Sequence, residues 1–175
     1  MSGQGSADVQ SNTTILVDVD RQALTLLENG RPVLEYPVST GAKGCGCEAG
    51  SYKTPTGWHR VKLKIGEGRP PGAVFVGRRP TGEVFTPALG LASPERDWIL
   101  TRILWLEGLE PGVNRGGGVD TLRRYIYIHG TPDEGMVDPP SSHGCVRMYN
   151  PHVVDLFSRV RVGTRVLVVA GRSNR

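Results

Sequence analysis

A histidine and a cysteine near the carboxyl end of this 175-residue chain have the types and spacing for nucleophilic chemistry. Tyr125-Ile-Tyr-Ile-His129-Gly130-Thr131 is a short apolar run ending in imidazole. After a loop comes Ser141-Ser142-His143-Gly144-Cys145-Val146-Arg147-Met148. A strand, a loop and a turn between His129 and Cys145 suit a chain reversal that sets imidazole beside thiol. A thiol of pKa about 8.5 is mostly protonated at neutral pH, and a neighbouring imidazole can lower that value and supply thiolate. Such a poised thiolate would alkylate at pH 6 far faster than free cysteine. Gly144 would let backbone N–H groups approach the oxyanion of a tetrahedral intermediate. Arg147 adds a charge suited to the thiolate or to a substrate carboxylate. The same residues also have a plain structural reading, a buried cysteine and a satisfied histidine. Residue types alone leave both readings open.

The elements that must position these residues read as strands. Thr14–Val19 and Ala23–Leu27 alternate and are aliphatic or β-branched, and Asn29-Gly30 supplies a hairpin turn before 32–38. Trp58–Ile65 alternates too, which predicts Val61, Leu63 and Ile65 on one face and Arg60, Lys62 and Lys64 on the other. Val74–Val76 and Val84–Thr86 flank a turn predicted at 79–83. Trp98–Leu106, Tyr125–His129 and Arg165–Ala170 complete the set. One helix is predicted, capped by Asn150 with Pro151 at its first position, and its stripe is Val153, Leu156, Phe157 and Val160. The expected class is mostly β, a sandwich or barrel with one short helix near the carboxyl end. Residues 1–13 are expected to be a flexible segment ahead of one domain over 14–171.

Composition narrows the function classes. With 24 glycines and 13 prolines, a helical bundle is a poor fit, and no apolar window is long enough for a membrane-spanning helix. The net charge of +4 and pI near 9.2 come from scattered basic residues, without a basic helix or an RNP-like strand, so no nucleic-acid partner is expected. Met1–Gln10 has neither a basic nor an apolar region of a signal peptide, which gives a cytoplasmic expectation, or an envelope location if an export signal has been removed. Cys45, Cys47 and Cys145 are odd in number, and Cys-x-Cys lacks the paired spacing of a zinc site. Loop cysteines without a catalytic role are the expectation.

Ile128-His129-Gly130-Thr131 followed by Ser142-His143-Gly144-Cys145-Val146-Arg147-Met148 resembles the active-site signature of the L,D-transpeptidase (YkuD-like) family. Tyr36-Pro-Val-Ser-Thr-Gly41 and Thr54-Pro-Thr-Gly57 resemble that family's two upstream loops, in the same order, and the likeness runs from about Thr14 to Ala170. The resemblance implies a β-sandwich-like catalytic domain with Cys145 as nucleophile and His129 as base and acid. The Gly130 carbonyl would orient His129, and His143 and Gly144 would shape the oxyanion site. Ser142 and Arg147 are the implied substrate-binding residues. The implied partners are peptidoglycan stem peptides or muropeptides. The implied reaction is attack on the carbonyl of the third stem residue, usually diaminopimelate, with release of D-Ala. The acyl group would then pass to an amine or, as in an L,D-carboxypeptidase, to water, and no cofactor or metal is called for. Arg147 departs from those members that carry Asn two positions after the cysteine. The rival reading is an inactive domain that docks murein or a protein. Oligomeric state is not encoded in any of these features.

Overall fold

The computed structural model describes residues 12–171. It contains strands β1 (Thr13–Asp18), β2 (Ala23–Glu28), β3 (Arg31–Pro37), β4 (Gly57–Ile65) and β5 (Ala73–Val76). Further along lie β6 (Arg79–Val84), helix α1 (Pro87–Ala92), β7 (Ile99–Gly108), β8 (Tyr127–Thr131), β9 (Val146–Tyr149), helix α2 (Asn150–Arg159) and β10 (Arg165–Val169). The mostly β class with its main helix near the carboxyl end is as expected. The expected flexible segment 1–13 falls largely outside the described residues, and β1 starts at Thr13.

One sheet holds the ten described strands, in the order β3-β2-β1-β10-β4-β7-β5-β6, with β8 branching from β7 and β9 pairing with β8. Asn29 and Gly30 both take positive φ, 51° and 77°, which joins β2 to β3 by a tight turn matched to strand twist. The main core lies inside the curl. Ile15 and Val17 of β1, Leu104 and Leu106 of β7, Ile128 of β8 and Val146 and Met148 of β9 meet Val153, Leu156 and Phe157 of α2. The apolar stripe read from the sequence is thus the face of α2 that closes the core.

Three local expectations fail, each for a physical reason. The alternation of β4 breaks at a bulge between Val61 and Leu63 in its pairing with β7. Each such insertion exchanges the faces of the residues beyond it. Val61 is buried, Leu63 is exposed, and Lys64 now donates to the carbonyls of Phe157 and Val160 at 2.7 and 2.8 Å, where the end of α2 carries partial negative charge. Asn150 does not cap α2: Tyr149 is the N-cap and makes no side-chain bond, while Asn150 Oδ1 accepts from Thr101 Oγ1 at 2.6 Å. The β5–β6 turn lies at Gly77-Arg78, and 79–83 is strand instead. Helix α1 was not anticipated, although Thr86-Pro87 carries its signal: the Thr86 hydroxyl accepts the Leu89 N–H at 3.1 Å and Pro87 opens the helix.

Candidate active site

Strands β8 and β9 run parallel with Ile128 opposite Val146, His129 opposite Arg147 and Gly130 opposite Met148. Side chains alternate across a sheet. Ile128, Val146 and Met148 therefore turn into the main core, and His129, Arg147 and Cys145, which immediately precedes β9, turn to the other face. There Cys145 packs against a smaller cluster that includes Ala73, Phe75, Ile103 and Tyr127. A cavity of about 410 Å³ opens on this face, lined by Cys145, His129, His143, Ser142 and Arg147 together with Tyr52, Asp97 and Arg123–Tyr125. Gly130 and Gly144 are buried and do not line it.

His129 is 1% exposed, and its Nδ1 donates to the Gly130 carbonyl at 2.6 Å. A carbonyl only accepts, so the proton sits on Nδ1 and Nε2 keeps its lone pair. Burial lowers the pKa of this imidazole, which favours the neutral form. Residue 130 must be glycine. A Cβ there would stand 2.6 Å from the Leu100 carbonyl and closer still to Asn150 Oδ1. The Asn150 side chain that fails to cap α2 instead forms part of the wall against which the imidazole's anchor is seated.

The thiol is held by backbone. The Tyr127 N–H donates to Sγ at 3.3 Å, and the thiol donates to the Tyr125 carbonyl at 3.5 Å. Burial pushes the Cys145 pKa up to about 12, and the Tyr127 N–H and the Arg147 and Arg124 charges offset this only in part. Burial thus favours the neutral form of this thiol. Desolvation penalises the charged form of both the thiol and the imidazole, and so opposes the thiolate that a neighbouring imidazole favours. Arg78 adds an outer tie: its guanidinium stacks on the Trp105 and Tyr125 rings at 4.8 and 4.6 Å and donates to Tyr127 Oη at 3.0 Å.

The turn bearing the thiol is tied to segments far away in sequence. Ser142 Oγ accepts the Gly144 N–H at 3.1 Å and donates to the Cys145 carbonyl at 2.6 Å. The hydroxyl expected to bind substrate is thus engaged within the turn. The N–H of Gly144, a residue expected to shape the oxyanion site, is bonded there as well. Gly144 has φ of 121°, and a Cβ would meet the Lys53 carbonyl at 3.0 Å. Thr54 Oγ1 accepts the Gly41 N–H and donates to the Gly144 carbonyl, both at 2.8 Å. Ala42 N–H donates to the Ser142 carbonyl at 2.9 Å. Thr54 and Gly41 carry no chemical role predictable from their residue types alone. Their signal was in the two upstream loops, whose function is visible only once β-pairing brings them to the turn.

Arg147 bonds the Ser141 carbonyl and hydroxyl and pairs with Asp97, each at 3.3 Å. His143 is exposed at the rim, with Tyr52 edge-on at 5.9 Å. Lys43 sits over the Tyr52 ring at 5.3 Å. Cys45 and Cys47 are free thiols in the 41–56 loop, and His59 is buried within the fold, away from the lining of this cavity. No group of three or more metal-ligating side chains occurs among the described residues, and no described helix is long and apolar enough to cross a membrane.

A family model described as the L,D-transpeptidase catalytic domain, YkuD, matches residues 12–168. The chain is 54% identical over 45 residues to the "Putative L,D-transpeptidase YqjB" of Bacillus subtilis (strain 168), 26% of each chain. It is 31% identical over 96 residues to the similarly named protein of the ATP synthase subunits region of Fuscovulum blasticum, covering 53% of this chain and 46% of that one. An L,D-transpeptidase from Mycobacterium smegmatis shares the fold, with a TM-score of 0.53 over 91% of this chain and 59% of that chain at 18% identity. The chain thus spans less than half the length of these curated relatives.

Proposed function

The chain belongs to the L,D-transpeptidase catalytic domain family, and from that premise we propose that it is a cysteine acyl-transfer enzyme acting on the L,D bond of peptidoglycan tetrapeptide stems. The observation that carries this reading is a thiol and an imidazole facing one cavity. The Cys145 thiol rests in a backbone cradle, and the His129 imidazole has its proton fixed on the Gly130 side.

His129 Nε2 takes the thiol proton as sulfur attacks the carbonyl of the third stem residue. The Nδ1–H bond to Gly130 stabilises the imidazolium that forms, the part played by a carboxylate or amide in other triads. With the Gly144 N–H engaged on Ser142, the N–H groups of His143 and Cys145 are the candidates to receive the oxyanion. Collapse returns the proton from His129 to the amine of the departing D-Ala, leaving an acyl-enzyme. An amine or water, deprotonated by His129 in its turn, then takes the acyl group. Since His129 must be neutral to start and burial lowers its pKa, the acid limb of kcat/KM lies below the ordinary imidazole range near 6.5.

Mass spectrometry of reduced protein with a diaminopimelate-containing tetrapeptide and excess D-methionine tests the proposal, with Cys145→Ala alongside. A tripeptide product identifies water as acceptor, and an exchanged tetrapeptide identifies an amine. Wild type indistinguishable from the variant sinks the reading and favours a domain that only docks murein.

A further inference from the structure

Three arginines line the thiol's cavity, and two of them are engaged. Arg124 donates to the carbonyls of Lys53 and Gly46 at 2.7 and 3.2 Å and to Ser51 Oγ at 3.3 Å. Arg147 is held by Ser141 and Asp97. Arg123 differs. It is exposed, and among the described residues no hydrogen bond or ion pair engages its guanidinium.

The turn that carries Arg123 is nonetheless fixed. Asp120 Oδ1 accepts the Arg123 N–H at 2.9 Å and Oδ2 accepts the Gly116 N–H at 2.7 Å. The Arg124 N–H reaches the Asp120 and Thr121 carbonyls at 3.1 and 3.2 Å. Trp105 Nε1 donates to the Leu122 carbonyl at 3.1 Å. The Asp120 carboxylate, spent on the backbone, feels the Arg123 charge without pairing with it. An uncommitted guanidinium on a rigid mount, beside a nucleophile and facing a cavity with one carboxylate in its lining, is arranged for an anionic group that arrives with the ligand. A planar fork on a fixed backbone suits a carboxylate, which it can engage through two parallel hydrogen bonds.

We infer that Arg123 is a specificity-determining residue that pairs with a free carboxylate of the donor peptide as the scissile carbonyl reaches Cys145. This rests on the acyl-transfer reading above. Two carboxylates flank the scissile bond, the carboxyl terminus of the departing residue and the side-chain carboxylate of diaminopimelate, and they offer the same chemistry.

Calorimetric titration in the Cys145→Ala background, where no turnover intervenes, tests this with three peptides: the tetrapeptide, its carboxyl-terminal amide and its diaminopimelate amide. Adding Arg123→Ala is expected to weaken tetrapeptide binding about 10-fold or more, and Arg123→Lys to recover part of that loss. One of the two amides should bind with the same loss and be indifferent to Arg123→Ala, which identifies the carboxylate. Equal binding with and without Arg123, an equal loss for all three peptides, or no measurable tetrapeptide binding in the Cys145→Ala background overturns the inference. In the wild-type background Arg123→Ala should raise KM and leave kcat within about 3-fold. A wild type without Cys145-dependent turnover would overturn the acyl-transfer reading alone, since carboxylate-dependent binding is scored separately.

Discussion

Two histidines of this molecule are buried to the same degree and differ in a single hydrogen bond. His59 on β4 is 0% exposed and His129 on β8 is 1% exposed, and burial lowers the pKa of both. Each fixes its tautomer by giving its Nδ1 proton to a nearby carbonyl, Gly57 at 3.0 Å for the first and Gly130 at 2.6 Å for the second. At the other nitrogen they diverge. His59 Nε2 accepts from the Thr121 hydroxyl at 3.1 Å. His129 Nε2 has no protein partner among the described residues, and its ring lines the cavity shared with Cys145. Neither residue type, burial nor a shifted pKa separates a structural histidine from a candidate catalytic one here. The distinction is one lone pair left unpaired at a cavity that a thiol also lines.

Substitution tests that distinction most strongly. His129→Gln is expected to lower kcat by roughly 10³-fold while Tm stays within a few degrees. His59→Gln is expected to keep turnover within about 2-fold while costing about 2 kcal/mol, or roughly 4–8 °C in Tm. Turnover assays and thermal melts on the two variants check this, and comparable losses of activity would erase the contrast.

The next largest effect is acid sensitivity. The His59 pKa falls from 6.5 to about 4 on folding, so between those values the unfolded chain binds a proton that the native state excludes. Its contribution is full above pH 6.5 and is lost as pH falls toward 4, about 3 kcal/mol in all. Urea melts across this window should flatten in His59→Gln, with a residual slope of the same sign from His129.

Thr54→Val sharpens the picture around the thiol. It removes the hydroxyl that joins Gly41 to Gly144 without changing shape, and it should cost about 2 kcal/mol and about 10-fold in kcat, with KM little changed. Steady-state kinetics beside a melt separate the two effects. Smallest is Lys64→Met, which removes two bonds to the end of α2. It should lower Tm by roughly 2–4 °C and leave turnover unchanged.

What the sequence carried, and what it did not, follows from where each constraint resides. The strands of the first hairpin, the Asn29-Gly30 turn and the stripe of α2 depend on local periodicity, which is written in consecutive residues. The bulge after Val61 depends on how β4 meets β7, some forty residues away, so Lys64 reaches the helix side against its apparent period. Asn150 looked like a cap by its position before Pro151, but Thr101 competes for its side chain. At the candidate site the pattern around His129 and Cys145 was legible as a motif. The upward push of burial on the thiol was not, because desolvation is set by the three-dimensional packing around Sγ.

Strand β10 lies inside the sheet, parallel to β1 along Thr14–Asp18 and antiparallel to β4. It is also the last of the described strands in chain order. Until it emerges, β1 and β4 each present an unpaired edge, and such edges invite pairing with other chains. Closing a contact between Thr14 and Arg165 joins segments near the two ends of the described residues, a non-local step of the kind that slows folding. A nascent chain that already carries Cys145 but not Arg165–Val169 therefore lacks the strand that joins β1 to β4.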